Sequence, residues 1–300
     1  MSEPRLMLFD TASMYFRAFH ALPTSMRARD GRSVNAVRGL LDFLARFISQ
    51  YSPTDVACCW DESWRPAWRV GLIPSYKAHR VAYGDVEIVP DELDVQIPLI
   101  REVLAALGLP VLGAAGYEAD DVIGTLAARA VMPCDVVTGD RDLFQVVDDA
   151  RAVRVLYLGR GVANHDRVDA GWVRDKYGVE PSGYVDFAVL RGDPSDGLPG
   201  VAGIGDKTAA SLVSAYGDLA GILTAAQAGR LSPKIALSLK ASIDYVAAAG
   251  EVVAVATDVE LPQVALALPH SPVDPDAFDR LRTELALGGS ADRILAAMAA

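Results

Sequence analysis

Three short apolar runs, Leu6 to Phe9, Val56 to Trp60 and Cys134 to Thr138, are bounded by turn residues and separated by longer segments of helical periodicity. The pattern predicts an α/β fold with a mostly parallel central sheet covered by helices. Asn35 to Gln50 and Asp91 to Leu107 predict amphipathic helices, the second introduced by Pro90 and closed by Gly108. Glu118 to Ala130 predicts a third. The stretch from Glu62 to Val89 has no clean period and carries Trp64, Trp68 and Tyr76; an unstructured segment of that length inside a compact domain is usually functional or disordered. After about residue 180 the pattern turns to helices and glycine-rich turns with an Ala/Leu-rich tail. This predicts a first domain over 1–180, including the 62–89 segment, and a helical region over 181–300.

Each predicted strand ends in an acid: Asp10, Asp61 and Asp140. Ligands gather at the carboxyl ends of strands in such sheets. A single Asp there can serve as a helix N-cap, but three together point to one shared edge. In EADDVIGTLAARA, Glu118, Asp120 and Asp121 crowd into the first helical turn, which is costly unless a cation neutralises them. Asp140 and Asp142 follow in TGDRD, and Asp193 and Asp196 in GDPSDGLPG, making nine carboxylates in turn or strand-end contexts. All-oxygen sets suit Mg²⁺ or Mn²⁺, whereas zinc brings His or Cys; none of His20, His79, His165 and His270 lies in these motifs. Phosphodiester cleavage uses such a set, since two metals about 3.5–4 Å apart activate a water and stabilise the leaving oxygen. Phosphoryl transfer with Asp10 as nucleophile is the alternative, and it leaves the other acids without work.

With 300 residues, 51% of them hydrophobic, the chain can bury one large core or two small ones. The net charge of −11 weighs against a nucleic-acid partner until its distribution is considered. Arg27, Arg29, Arg32 and Arg38 surround the single acid Asp30, and Arg65, Arg69, Lys77, His79 and Arg80 face only Glu62. These segments are either solvated faces or local cationic patches. No apolar stretch of about 18 residues or signal-peptide plan appears, so no membrane association and a cytoplasmic location are expected. Cys58, Cys59 and Cys134 lack zinc spacing and are expected to be buried thiols.

In LPGVAGIGDKTAASLV, Gly200, Gly203 and Gly205 precede a helix starting near Asp206 or Lys207. Backbone N–H groups at such a turn, with the helix N-terminus behind them, can clamp a phosphate backbone without reading sequence. Gly205 is expected to need a positive φ or a close approach. The nucleotide-binding P-loop spacing fails, because Asp206 separates Gly205 from Lys207. A plain helical packing unit is the other reading of this segment.

The ordered series LFDTASMYFRAFHA, CCWD, YKAHR, GYEADDVIGTLA, TGDRDLFQ and LRGDPSDGLPGVAGIGDKTA resembles the bacterial 5′–3′ exonuclease and flap endonuclease family, including the N-terminal nuclease domain of bacterial DNA polymerase I. The likeness runs from about residue 5 to 225, and no polymerase follows, so a stand-alone nuclease is expected. The resemblance implies a PIN-like core followed by a helix–three-turn–helix DNA-binding element, with a helix-hairpin-helix-like motif at 198–213. It implies cleavage at a 5′ flap, nick or frayed 5′ end of DNA, or of RNA paired to DNA, with two divalent ions, Mg²⁺ or Mn²⁺. Asp10, Asp61, Glu118, Asp120 and Asp121 match the acids of the first metal. Asp140, Asp142 and Asp193 match those of the second, with Asp196 the further acid of that motif.

Lys77 and Arg80 match catalytic cations of a segment that arches over the threaded 5′ end. Gly203 and Gly205 match hairpin glycines, where relatives can also hold potassium. The candidate DNA contacts are then Tyr15, Phe16, Arg38, Tyr76, Lys77, Arg80, Gly203, Gly205 and Lys207. Two departures stand out. The family's aromatic falls on Phe16, with Tyr15 one position earlier. YKAHR runs into VAYGDVEIVP, where relatives often have a shorter, proline-rich join. A catalytically inactive DNA-binding scaffold is the rival reading, but it gives no reason to keep every acid. A small-molecule phosphatase explains the acids and not the hairpin.

Overall fold

The computed structural model describes residues 3–84 and 86–300. Strand β1 (Leu6–Asp10) lies inside a six-stranded sheet and is buried along its whole length. Leu6 and Leu8 enter one hydrophobic cluster while Met7 and Phe9 enter another, so helices cover both faces. The chain continues through α1 (Thr11–Ala21) and α2 (Asn35–Tyr51) to β2 (Asp55–Cys59). Next come α3 (Ala67–Leu72) and an antiparallel hairpin of β3 (Val81–Tyr83) and β4 (Val86–Glu87). After α4 (Asp91–Asp94), α5 (Ile97–Leu107) and β5 (Val111–Leu112), α6 (Ala119–Arg129) leads into β6 (Cys134–Thr138). β7 (Val153–Tyr157) and β8 (Asp166–Val168) complete a sheet ordered β5-β2-β1-β6-β7-β8. Within this sheet the β7–β8 pair is antiparallel and the other described pairs are parallel.

The remainder is helical. α7 (Ala170–Tyr177), α8 (Tyr184–Arg191) and α9 (Asp206–Tyr216) are followed by α10 (Leu219–Gln227), α11 (Pro233–Ala241) and α12 (Ile243–Val253). The chain ends in α13 (Pro275–Glu284) and α14 (Gly289–Ala299). Phe187, Leu212 and Val246 join the cluster of Leu6 and Leu8, whereas Phe278, Ile294 and Met298 join that of Met7 and Phe9. The tail therefore returns to the N-terminal face and packs on α2, a contact over more than 200 residues of sequence that local patterning cannot reveal.

The helix expected over 91–107 is two helices. Pro98 has no N–H to continue the α4 ladder, so the helix restarts. At the break, the Gln96 side chain accepts from Ala36 N–H at 2.9 Å and donates to Asn35 Oδ1 at 3.0 Å, tying the junction to the start of α2. The 62–89 segment, which showed no period, is held to the body by backbone contacts. Lys77 N–H donates to Asp196 O at 2.9 Å and Ser75 Oγ to Gly197 O at 2.9 Å. Cys58, Cys59 and Cys134 are buried free thiols.

Candidate active site

Parallel pairing of Asp10 with Cys59 and of Phe9 with Val137 brings the residues that follow β1, β2 and β6 to one edge of the sheet. Asp10 caps α1 by accepting from Ser13 N–H at 3.1 Å, and its other oxygen accepts from Thr138 Oγ1 at 2.6 Å. Asp61 accepts from Ala119 N–H at 2.8 Å at the start of α6. Asp140 accepts from Asp142 N–H at 2.8 Å. Local capping thus fixes the carboxylates in place without neutralising them.

Eight of the nine acids fall into two groups by their charged surroundings. Burial, reinforced by Asp61 and Asp140 against the Thr138 and Ser13 hydrogen bonds, pushes Asp10 up to about 7. Burial and then Glu118 raise Asp61. Burial, with Asp140 and Asp10, holds Asp120 well above the usual carboxylate range. Asp142 is raised by burial and by Asp140, Asp196 and Asp193, and its Oδ1 is buried with no hydrogen-bond partner. Asp196 is raised chiefly by burial, although Lys77 and Arg80 oppose the effect. Among the described residues Asp10, Asp61, Asp120 and Asp142 have no ion-pair partner, and Asp196 has Arg80 at 3.2 Å.

The others have partners. Both oxygens of Asp121 face the Arg69 guanidinium, at 2.9 and 2.7 Å, and they also accept from Ala256 N–H at 2.9 Å and Glu118 N–H at 3.1 Å. Asp193 accepts from Arg141 at 3.1 Å, Arg191 at 3.2 Å and Ser195 N–H at 2.9 Å. Glu118 accepts from Tyr76 Oη at 2.9 Å and Lys77 Nζ at 2.5 Å. Lys77 adopts a left-handed backbone with φ 48°, a strained conformation for a side-chain-bearing residue. Burial opposes its charge, but Glu118, Tyr76 and Asp196 outweigh that and keep its ammonium protonated.

A cleft of 960 Å³ opens over this edge, lined by Asp10, Asp61, Glu118, Asp120 and Asp140 and also by Tyr15, Phe16, Lys77 and Arg80. A void of 10 Å³, about the size of one water or ion, lies between Glu118, Asp120, Asp142 and Asp196. Asp121 and Asp193 line neither space. Among the described residues no three His, Cys, Asp or Glu side chains converge closely enough to grip a metal as they stand. The donor chemistry nevertheless fits hard cations, because the acids that lack counter-charge are all oxygen donors and one buried oxygen has no partner.

The candidate DNA contacts separate similarly. Tyr15 is buried against Trp60 at 5.8 Å between ring centroids, whereas the Phe16 ring is partly exposed in the cleft. Tyr76 is buried and bound to Glu118, so it offers no face to a base. Arg38 lies on α2 near Gly288, outside the cleft. In the glycine turn, Gly200 and Gly203 carry the positive φ, 68° and 81°. Gly205 corrects the expectation made for it: it is the extended cap of α9, φ −101°, with open space where a Cβ would stand. Lys207 is exposed on the first turn of that helix.

Sequence reasoning missed Arg17, which lines the cleft with a buried, unpartnered Nε. It lies four residues beyond Ser13 on α1, so the two share a helix face beside Gly139. It named Arg69 only within a basic segment and missed its role: the guanidinium pairs with Asp121, and its Nε donates to Val252 O at 3.0 Å.

The family described as 5′–3′ exonuclease, N-terminal resolvase-like domain, matches residues 5–178, and its C-terminal SAM-fold partner matches 179–276. The chain belongs to the 5′–3′ exonuclease family. It is similar to the 5′–3′ exonuclease of Streptomyces coelicolor, 55% identical over 98% of this chain and 100% of that one. The 5′–3′ exonuclease of Mycobacterium tuberculosis is 47% identical over 98% and 97%. DNA polymerase I of M. tuberculosis is 40% identical over all of this chain and 32% of that protein.

Among solved structures, the bacteriophage T5 flap endonuclease in a pseudo-enzyme–product complex with DNA and metal ions superposes with TM-score 0.66 at 16% identity, over 98% of this chain and 99% of that one. The catalytic core of Rad2 in complex with DNA substrate superposes with TM-score 0.61 at 15% identity, over 99% and 93%. These matches correct the PIN-like expectation. The fold is the flap endonuclease and 5′–3′ exonuclease architecture, in which the sheet and the helical region superpose together over nearly the whole chain; a label drawn from the sheet alone does not describe it.

Proposed function

We propose that this family member is a structure-specific 5′ nuclease. It hydrolyses phosphodiester bonds at 5′ ends and 5′ flaps of duplex DNA, or of RNA paired to DNA, with two divalent cations, Mg²⁺ or Mn²⁺. The observation that carries the reading is the set of buried strand-end acids without counter-charge, beside a cleft that also presents Lys77 and Arg80. Asp10, Asp61, Glu118 and Asp120 are assigned to one cation, and Asp140, Asp142 and Asp196 to the other. Asp121 and Asp193 are given positioning roles instead, because Arg69 and two backbone N–H groups occupy the oxygens of the first, and Arg141, Arg191 and Ser195 those of the second. Bound cations supply the charge that activates water and stabilises the leaving oxygen.

The chain's own groups orient the substrate. Lys77 Nζ, now 2.5 Å from Glu118, and the Arg80 guanidinium, 3.2 Å from Asp196, can exchange those carboxylates for phosphate oxygens. Phe16 offers a ring to a base. Gly200, Gly203 and Lys207 clamp the adjoining duplex, and that turn is the place for a potassium ion. Primer removal in replication and repair is the work this activity performs, in the cytoplasm. The test is a labelled 5′-flap duplex incubated with the protein and Mg²⁺, with EDTA, and beside a plain aryl phosphate. Mg²⁺-dependent release of short 5′ products, with the aryl phosphate untouched, is expected; hydrolysis of the aryl phosphate alone would overturn the reading.

A further inference from the structure

One acid in the cleft belongs to neither cation set. Glu87 is on β4, in the hairpin it forms with β3, and its side chain lines the cleft with Lys77 and Arg80. Ile88 N–H donates to Arg80 O at 2.7 Å, and Val81 pairs with Glu87, so the hairpin backbone fixes this carboxylate beside the arch cations. It caps no helix. Among the described residues it takes part in no hydrogen bond or ion pair. Burial raises its pKa; Arg80 and Lys77 favour its charge, while Asp61 and Glu118 oppose it. A half-buried carboxylate without a partner costs stability and gives the fold nothing in return.

Its position gives it another effect. A nucleic-acid strand entering this cleft must bring its phosphates to Lys77 and Arg80, and a fixed negative charge among them repels those phosphates and competes for the same cations. We propose that Glu87 is a specificity-determining residue that weakens capture of bare single strands, so that the cleft holds a 5′ strand well only when adjoining duplex anchors it. The proposal rests on the nuclease reading above. Glu87 touches no reacting atom; it acts on which strands enter.

The test compares the parent with Glu87→Gln, Glu87→Asp and, as a control for net charge, Glu260→Gln, an exposed acid outside the cleft. Affinities for a single strand, a blunt duplex and a 5′-flap duplex are measured in Ca²⁺ across a salt series, and flap cleavage under single turnover in Mg²⁺. Glu87→Gln should tighten single-strand binding about three- to tenfold at low salt and steepen its salt slope by up to about one unit. It should leave blunt-duplex affinity and the saturated cleavage rate unchanged, so the effect appears in KM and not in kcat. Glu87→Asp should behave as the parent. Equal single-strand affinity for Glu87→Gln and the parent, while both cut the flap, would overturn the proposal and leave the nuclease reading standing. An equal gain in Glu260→Gln would overturn it too, by showing a general charge effect. A parent that neither binds nor cuts the flap would overturn both.

Discussion

Asp10→Asn should make the metal-free protein more stable at pH 8 while removing its activity. In the folded chain Asp10 is 5% exposed and its pKa is pushed from 3.8 up to about 7 by burial, with Asp61 and Asp140 adding to it. A carboxyl raised in this way holds its proton more tightly folded than unfolded. Its contribution to stability is therefore lost as pH rises from about 4 to about 7 and stays lost above that. About three pKa units correspond to roughly 4 kcal/mol at pH 8, and to less than half of that at pH 5. Asparagine keeps the cap to Ser13 and loses the charge-assisted bond from Thr138, at about 1–2 kcal/mol. The net gain is about 2 kcal/mol at pH 8, or a melting temperature higher by about 4–8 °C, and close to nothing at pH 5. Thermal unfolding in EDTA at the two pH values measures it. A variant that melts at or below the parent at pH 8, or that shows the same difference at both pH values, would refute the reasoning. Mg²⁺ should reverse the order by stabilising the parent more than the variant.

Asp140→Ala and Asp142→Asn should each lower single-turnover flap cleavage by about 10³-fold or more, as expected when several kcal/mol of charge stabilisation is lost, with flap affinity in Ca²⁺ within about twofold of the parent. Full activity in either would remove that acid from the cation set. Lys77→Ala should slow single-turnover cleavage about 10²-fold with a near-parental far-UV spectrum, and an unchanged rate would make the arch cation a surface charge. Gly200→Ala should cost about 2 kcal/mol or more in urea unfolding, because φ is 68° and a Cβ would stand 2.5 Å from Arg191 O. Gly205→Ala, at an extended and open position, should cost less than about 1 kcal/mol, and the opposite ranking would reject this view of the turn.

The strand-end acids were legible because a short apolar run closed by Asp is a local pattern, and a parallel sheet brings such ends together. Crowding at Glu118, Asp120 and Asp121 was legible for the same reason. Which of them lacks counter-charge was not. Asp121 is neutralised by Arg69, 52 residues away in a segment without periodicity, and Arg69 is itself held by Val252 O from the far end of the chain. The glycine turn was found, but its positive φ belongs to Gly200 and Gly203, since spacing does not report backbone angles. The return of α14 to α2 left no local mark, and the PIN-like label failed because a whole-chain architecture cannot be read from its sheet alone.

The central claim is that the strand-end carboxylates lacking counter-charge form the cation centre. Anomalous diffraction from crystals of the protein with Mn²⁺ and a short 5′-flap duplex tests it most directly. Two peaks among Asp10, Asp61, Asp120 and Asp142, with the flap junction beside them, are expected. Flap-bound crystals whose only Mn²⁺ peaks lie away from these four side chains would contradict it.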